Sequence, residues 1–228
     1  MLANTLGKLA DKCIADEIQS LTHLFHNLQY GSRKGRSAMD SLMITVNKVE
    51  EALANGERAT LLGKDIVSAF NQVRRTEILK SLRLNNTPSH ITRYVGYFLL
   101  PRTCDIGWDA HRKGTIRLED GSPQGSPLSP VIWLVYLATT LQRCEAKFQD
   151  ISVPSRRPKK APEVLCFSSA DDTNPLIISR GTMKEHKEVV KEVINILEEE
   201  AAKSNSNSTR TRIQSSPSAR KPQDSPSP

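Results

Sequence analysis

The sequence lacks the features of a zinc-binding, disulfide-bonded or membrane-spanning protein. Its four cysteines, Cys13, Cys104, Cys144 and Cys166, are far apart and form no CxxC or Cys/His pattern, which argues against a zinc site and a disulfide framework. No uncharged apolar run reaches about 18 residues, and the start MLANTLGKLADK lacks the basic-then-apolar order of a signal peptide. We therefore expect an intracellular protein with buried cysteines, no disulfide partner and no membrane.

The charge of the chain is positive and unevenly distributed. The net charge is +7, with an isoelectric point near 9.3, and such an excess favours an acidic partner such as nucleic acid. Residues 201–228 contain five basic residues and one acidic residue, together with eight serines and four prolines. A segment of this composition buries too little apolar surface to become ordered, so we predict a disordered tail over 201–228.

Helical and strand patterns alternate over the first 200 residues. Apolar residues three or four apart predict helices at 2–20, 38–54, 76–84, 91–99, 131–144 and 184–200. Shorter apolar runs predict strands at 59–67, 103–108, 115–118, 163–167 and 176–179, the last two joined by a turn at 170–174. The apolar stripe of the first helix is Leu2, Leu6, Leu9, Cys13 and Ile18. This order of elements predicts an α+β domain in which a sheet packs on helices.

Three acidic residues stand where a strand ends or turns. Asp65 follows an apolar strand, and the adjacent Asp171 and Asp172 lie in the predicted turn between two strands. Nucleotidyl transfer by the two-metal route needs carboxylates that hold two divalent ions about 3.5–4 Å apart, and Mg²⁺ is a hard, oxygen-seeking ion suited to it. Taken one at a time, an aspartate after a strand is usually a cap and an Asp-Asp turn is usually solvated. The order and context of the motifs decide between these interpretations.

Five segments resemble those of reverse transcriptases encoded by non-LTR (LINE-like) retrotransposons. DIVSAFNQV (65–73), GSPQGSPLSPVIWLVYL (121–137) and FSSADDTN (167–174) resemble motifs A, B and C of that family, in the family's order. NTLGKLADKCIADEI (4–18) and QYGSRKGRSAMDSL (29–42) resemble its upstream helix and its Q-[FY]-G-x-R-x-G-R-S-x-x-D element. PQGSPLSP is the most specific of these matches, since viral RNA-dependent RNA polymerases differ there. The fold that the resemblance implies is α+β, a polymerase palm with an antiparallel sheet packed on helices and partial fingers.

The resemblance also implies a catalytic site and an activity. Asp65, Asp171 and Asp172 would be the catalytic residues that bind two Mg²⁺ ions, and the backbone carbonyl of Ile66 would be a further metal ligand. The activity would be RNA-directed DNA polymerisation, in which dNTPs are added to the 3′-hydroxyl of a DNA primer on an RNA template.

Three further residues match positions that contact the nucleotide in the family. Phe70 matches an aromatic gate that crowds a ribose 2′-hydroxyl and so favours deoxynucleotides; the alternative is a core aromatic of the following helix. Gln124 and Gly125 match residues beside the template base and the incoming nucleotide, where glycine permits close backbone approach. The alternative for these two is a plain turn before a buried helix.

A basic loop lies between the first two predicted helices. Its residues Arg33, Lys34 and Arg36 could meet phosphates of the template or of the incoming nucleotide. Equally, they could form a solvated loop with no ligand.

The chain departs from the family pattern at motif C and at both ends. Ser169 stands where the family has an aromatic residue near the primer end, and Asn71 replaces an acid of motif A. No Arg-Pro-Ile stretch of the fingers precedes Asn4, and no motif D lysine region, primer grip or thumb follows the last predicted helix. We therefore expect a truncated fragment made of an N-terminal helix of partial fingers (1–28), a palm (29–200) and the tail.

These departures leave three functions open, of which the first is enzymatic. It is an RNA-directed DNA polymerase domain located in the nucleus or cytoplasm. The second is a non-catalytic relic that binds nucleic acid through its basic loops and tail. The third is a group II intron maturase-like protein located in an organelle, although the NTLGK helix favours the LINE type.

Overall fold

The structure, a computed structural model, describes most of the chain. The described residues are 5–66, 70, 73–109, 112–151, 161–169, 172–203 and 209–214. Among the predicted site residues, Asp171 lies outside this set, and for Asp65 and Ile66 the description is limited to the backbone.

The described residues form six α-helices at or near the predicted positions. They are α1 (Thr5–Ser20), α2 (Ala38–Ala54), α3 (Arg75–Leu84), α4 (Ser89–Phe98), α5 (Leu128–Phe148) and α6 (Met183–Lys203). The local sequence sets the limits of α2: the Ser37 hydroxyl accepts from the Asp40 N–H at 3.1 Å, and the Asp40 carboxylate accepts from the Ser37 N–H at 2.8 Å. The helix ends at Asn55 and Gly56, whose φ of +69° suits glycine.

The strands form one larger sheet and a separate hairpin. They are β1 (Arg58–Ile66), β2 (Arg102–Asp109), β3 (Arg112–Leu118), β4 (Glu163–Ser169), β5 (Asp172–Ser179) and β6 (Thr209–Gln214). The larger sheet has the order β4-β5-β1-β6 with every pair antiparallel, and β2 pairs with β3. The pairing of β4 with β5 extends to Ser169 and Asp172, so both strands of this hairpin are longer than predicted.

Strand β6 corrects the prediction of a wholly disordered tail. It lies within residues 201–228 and pairs with β1 from Leu61↔Gln214 to Ile66↔Thr209. Its sequence TRTRIQ alternates β-branched and longer polar residues with the period of a strand. It also covers an edge of β1 whose backbone groups would otherwise lack strand partners. The composition of the whole tail concealed this short local pattern.

The larger sheet is buried on both faces. Leu62, Cys166 and Ile177 belong to the larger hydrophobic core, which contains most of the buried side chains of α5. A smaller core contains Phe167 and Leu176, the sequence neighbours of Cys166 and Ile177. Ala52 of α2 and Tyr30 belong to the same smaller core. This alternation is the two-residue period of strands that are covered on both sides.

Helix α1 packs through a face that shares only Ile18 with the described part of the predicted stripe. Leu6 and Leu9 are 77 % and 61 % exposed, whereas Ile18 is buried together with Asp11 and Ala15, which the stripe did not include. The predicted burial of the cysteines is confirmed for Cys144 and Cys166, but Cys13 is exposed and the side chain of Cys104 lies outside the described set. Burial raises the pKa of the Cys144 thiol to about 11, which makes it a poor nucleophile or metal ligand.

Within the described part of the chain, no helix combines the length and the apolar character needed to cross a bilayer.

Candidate catalytic site

The register of the larger sheet brings two predicted metal-binding residues together at one end. Asp65 in β1 lies opposite Asp172, the first residue of β5, and Asp172 lies opposite Ser169, the last residue of β4. Directly opposed residues of an antiparallel pair have Cα atoms about 4.5–5.5 Å apart. We call Asp65, Asp172 and Ser169 the acidic row. The side chain of Asp172 is exposed.

The remaining predicted metal ligands stand next to the acidic row in sequence. Asp171 immediately precedes Asp172 in sequence and lies outside the described residues. Ile66 follows Asp65 as the last residue of β1, opposite Thr209. Among the side chains that the structure describes, no group of three or more His, Cys, Asp or Glu residues could hold a metal ion. The side chains of Asp65 and Asp171 fall outside that set. The all-carboxylate chemistry of the predicted triad suits a hard cation such as Mg²⁺.

One residue away, the same three strands carry a second row on the opposite face of the sheet. Lys64 lies opposite Thr173, and Thr173 lies opposite Ser168. These three side chains are 7 %, 3 % and 0 % exposed, and we call them the buried row. Burial lowers the pKa of Lys64, and the nearby Cys144 and Glu198 oppose that shift. The hydroxyls of Thr173 and Ser168 have no hydrogen-bond partner among the described atoms.

The segment that contains the predicted QYG element is attached to the motif C hairpin. Gln29 forms a parallel bridge with Ser168, and backbone hydrogen bonds run from Tyr30 N–H to Ser168 O and from Ser168 N–H to Leu28 O. The Gln29 side chain is fully buried and donates to the carbonyl of Leu134 in α5 at 3.0 Å. The basic loop after Tyr30 is therefore held close to the hairpin that carries Asp172.

Within the basic loop, the three predicted phosphate-binding residues differ in their contacts. Arg33 donates to the carbonyl of His26 at 2.9 Å, and its guanidinium stacks on Phe25. Arg36 stacks in the same way on Tyr30, 5.1 Å from the ring centre. Burial lowers the pKa of Arg33, with the charge of Arg36 as the second cause. Lys34 is exposed, so it is the most available of the three for a ligand.

The motif B loop lies against the second half of the segment that resembles motif A. Backbone hydrogen bonds join Ser122 N–H to Phe70 O at 2.8 Å and Gly121 N–H to Val73 O at 3.0 Å. The ring of Phe70 packs against Trp133 with the centroids 6.2 Å apart, and it is half-buried. These contacts bring Phe70 close to the loop that contains the predicted nucleotide-binding residues, and they also give it a packing role.

Gln124 and Gly125 are the exposed tip of the motif B loop. Both residues are exposed, and Gly125 has a φ of +85°. A Cβ at Gly125 would meet no atom within 4 Å, so the positive φ, and not crowding, is what favours glycine there.

A buried aspartate that the sequence did not single out anchors this loop. Asp11 of α1 accepts hydrogen bonds from the Ser126 hydroxyl at 2.7 Å and from the Tyr94 hydroxyl at 2.8 Å. Burial, reinforced by the hydrogen bond to Asp11, raises the pKa of Tyr94 to about 12. Three segments, α1, α4 and the motif B loop, thus meet at one carboxylate. The helical period had placed Asp11 outside the apolar stripe, and its hydroxyl donors are distant in sequence.

A family model described as reverse transcriptase (RNA-dependent DNA polymerase) matches residues 1–217, nearly the whole chain. The chain belongs to this family. The predicted reverse transcriptase resemblance is confirmed by that match. The match includes the three segments that resemble motifs A, B and C.

Two curated relatives of this reverse transcriptase chain come from a LINE-like element. Each is an RNA-directed DNA polymerase from the mobile element jockey, one from Drosophila melanogaster and one from Drosophila funebris. The first is 27 % identical over 189 residues and the second 27 % identical over 140 residues, covering 80 % and 60 % of the chain. The matched parts span 19 % and 15 % of those relatives' lengths. The chain is a reverse transcriptase domain of the LINE-like type, and it spans only part of the length of these relatives.

Solved structures of telomerase share the fold. The telomerase of Candida albicans, in a complex with a fragment of telomeric RNA, superposes with a TM-score of 0.54 at 11 % identity, over 92 % of this chain and 36 % of that one. The apo telomerase of Candida tropicalis gives the same TM-score at 10 % identity, over 92 % and 40 %. At such identities the likeness concerns the fold alone, and it confirms the predicted α+β palm.

Proposed function

We propose that the chain forms the catalytic palm of an RNA-directed DNA polymerase. The observation that carries this proposal is the register that sets Asp65 opposite the exposed Asp172. Family membership supports the reaction class, and the positive charge of the chain suits a nucleic acid partner. The substrates would be an RNA template, a DNA primer and dNTPs.

The carboxylates of Asp65, Asp171 and Asp172 would hold two Mg²⁺ ions, with the carbonyl of Ile66 as a further oxygen ligand. When bound, the ions would activate the primer 3′-hydroxyl and stabilise the leaving pyrophosphate. The strands on both sides of Asp172 fix its backbone position, which favours a preorganised site.

The other predicted residues would position the substrates. Gln124 and Gly125 would meet the template base and the nucleotide from the exposed tip of the motif B loop, and Phe70 lies beneath that loop. Lys34 would bind a phosphate. Arg33 and Arg36, which are stacked on aromatic rings, would mainly keep the basic loop in shape.

Primer extension tests the proposal directly. The purified chain is incubated with a primed RNA template, Mg²⁺ and dNTPs, and the labelled DNA primer is resolved by length. We expect extension that requires Mg²⁺ and that is abolished by Asp171→Ala, a change outside the paired residues of β4 and β5. Binding of Mg²⁺ is measured in parallel by calorimetry on both proteins.

A folded chain with neither extension nor Asp171-dependent Mg²⁺ binding would refute the proposal. Salt-sensitive binding of nucleic acid without extension would leave the non-catalytic function in its place.

A further inference from the structure

A second basic surface lies between α3 and α4, where none of the predicted site residues is found. It is an open groove of about 720 Å³, within the usual range for ligand clefts. The residues that line it come from the two helices and their connection: Arg75, Leu79, Arg83, Asn86, Thr87, Ser89, Thr92, Arg93, Gly96 and Tyr97. We call it the arginine groove.

The charge of the arginine groove is of one sign. Arg75 and Arg83 stand eight residues apart on α3, about 12 Å along the helix axis, and Arg93 faces them from α4. Among the described lining residues there is no aspartate or glutamate. Arg75 is held in place because its Nε donates to the carbonyl of Gly96 at 2.9 Å. Arg83 and Arg93 are exposed at the rim.

The groove also presents polar groups that lack partners. Helix α4 has Pro88 at its N-cap and no side-chain cap, so the N–H groups of its first turn are available to an anion. The hydroxyl of Thr87, next to the cap, is buried with the residue 9 % exposed, and it has no hydrogen-bond partner among the described atoms. The Thr87 oxygen is itself closed to solvent, so the arginines are the groups of this groove that can contact a phosphate.

An aromatic side chain completes the surface. Tyr97 lies one turn beyond Arg93 on α4 and is 69 % exposed. An exposed tyrosine beside a row of arginines is the combination by which proteins bind single strands, since bases stack on the ring while cations follow the phosphates. An acidic peptide would use the arginines but would leave the ring without a stacking partner.

We propose that the arginine groove binds the phosphodiester backbone of a single-stranded nucleic acid, with Tyr97 stacked on a base. Arg75, Arg83 and Arg93 contact successive phosphates. This site is separate from the acidic row and requires neither Mg²⁺ nor dNTPs. The domain would thus bind a single-stranded nucleic acid at a second site, outside the proposed polymerase site.

Fluorescence anisotropy with a labelled single-stranded RNA tests the proposal on the full chain, at several salt concentrations and without metal. Arg83→Ala/Arg93→Ala should lower the slope of log affinity against log salt by about 1.4, because each single-strand phosphate contact contributes about 0.7. At about 0.1 M salt this corresponds to a roughly 20-fold loss of affinity. Arg83→Lys/Arg93→Lys should keep most of the slope.

Tyr97 gives an independent readout. Tyr97→Ala should weaken binding roughly 5- to 100-fold without changing the salt slope, as expected for a lost stacking contact. Tyr97→Phe should restore binding. The matched control is Lys80→Ala/Lys191→Ala, which removes two exposed charges outside the groove and should leave affinity nearly unchanged.

The other outcomes decide the ligand and separate this site from the polymerase site. Equal binding of single-stranded DNA would support the groove as a general phosphodiester site, and preference for RNA would assign it to the template class. Wild-type affinity and slope in the arginine variant, with normal unfolding curves, would overturn the proposal, as would equally tight, arginine-dependent binding of a polyglutamate peptide. The binding assay contains neither Mg²⁺ nor dNTPs, so a failure of primer extension cannot be mistaken for loss of this site.

Discussion

Two neighbouring rows of the same three strands have opposite properties. The acidic row, Asp65, Asp172 and Ser169, ends the sheet where Asp172 is exposed; the buried row, Lys64, Thr173 and Ser168, is one residue away and almost inaccessible. Successive residues of a strand point to opposite faces of the sheet. A single step along the chain therefore separates the proposed chemistry from the core.

The difference shows where the polar groups of this sheet reduce stability. In the buried row an ammonium is desolvated and two hydroxyls lack partners, and an unsatisfied buried polar group costs about 1–3 kcal/mol. The acidic row keeps its charge near solvent at Asp172, where it can meet a ligand. We expect substitutions in the acidic row to affect activity and substitutions in the buried row to affect stability.

The largest expected effect is the loss of activity in Asp172→Asn. Outer-shell partners of a metal contribute about 10- to 100-fold, so loss of a direct ligand should reduce the rate of primer extension by about 10³-fold or more. The unfolding midpoint should change little, since asparagine keeps the size of the side chain. The control is Thr173→Val, the adjacent residue in the buried row, which should extend primers at nearly the wild-type rate. Comparable rates in the two variants would remove the distinction between the rows.

The second expected effect is a loss of stability when the buried, hydrogen-bonded carboxylate of Asp11 is removed. Asp11→Ala removes a carboxylate that accepts from Ser126 and Tyr94, and hydrogen bonds to charged groups contribute about 1.5–3 kcal/mol each. We expect a loss of about 3 kcal/mol in the free energy of unfolding, measured by urea titration. Asp16→Ala is the control, because that aspartate pairs with Lys12 on the exposed side of the same helix and should matter little. A loss below about 1 kcal/mol at Asp11 would contradict its anchoring role.

The sequence predicted the local elements of this site and missed its long-range contacts. The Ser37 cap, the stop at Asn55 and the hairpin around the two adjacent aspartates depend on neighbouring residues, so they could be read from local patterns. The pairing of β1 with β5 and β6 depends on residues more than a hundred positions away, and local patterns carry no register.

Individual residues show the same limit. Asp11 interrupts the apolar pattern of α1 but is buried because two distant hydroxyls donate to it, and its burial turned the helix away from the predicted stripe. Lys64 gives no sequence signal of burial, since lysines usually reach solvent. The roles of Phe70, Gln124 and Gly125 stay predictions, because they concern ligands.

The third expected effect is a gain of stability on removing the buried ammonium. Lys64→Met keeps the length of the side chain without its charge, and replacing buried ionic groups by apolar ones of similar size is neutral or stabilises by about 1–4 kcal/mol. We expect a gain of about 2 kcal/mol at pH 7 in the free energy of unfolding. Lys191→Met, on the exposed side of α6, serves as the control and should be nearly neutral.

The pH dependence of stability, compared between the wild type and Lys64→Met, tests whether the gain comes from the buried ammonium. Burial holds the folded-state pKa of Lys64 below its ordinary value of 10.5, so between the two values the folded state binds fewer protons than the unfolded chain. The stability of the wild type should therefore rise with pH on approaching 10.5, and it should be lowest below the folded-state pKa. Lys64→Met should lack this rise, which urea titrations at pH 7 and near pH 10 will detect. A Met variant with the same rise would assign it to another group.

The smallest expected effect separates unpartnered from partnered hydroxyls in the sheet. Thr173→Val replaces a buried hydroxyl that has no partner among the described atoms, so the free energy of unfolding should rise by about 1 kcal/mol. Thr60→Val makes the same change in β1 where the hydroxyl is hydrogen-bonded to His186 Nε2 at 2.8 Å, and it should lower stability by about 1 kcal/mol. The two substitutions are chemically identical, so opposite signs can arise only from their surroundings. If both variants were less stable than the wild type, the Thr173 hydroxyl would have a hydrogen-bond partner in solution. The buried row would then not reduce the stability of the protein through this hydroxyl.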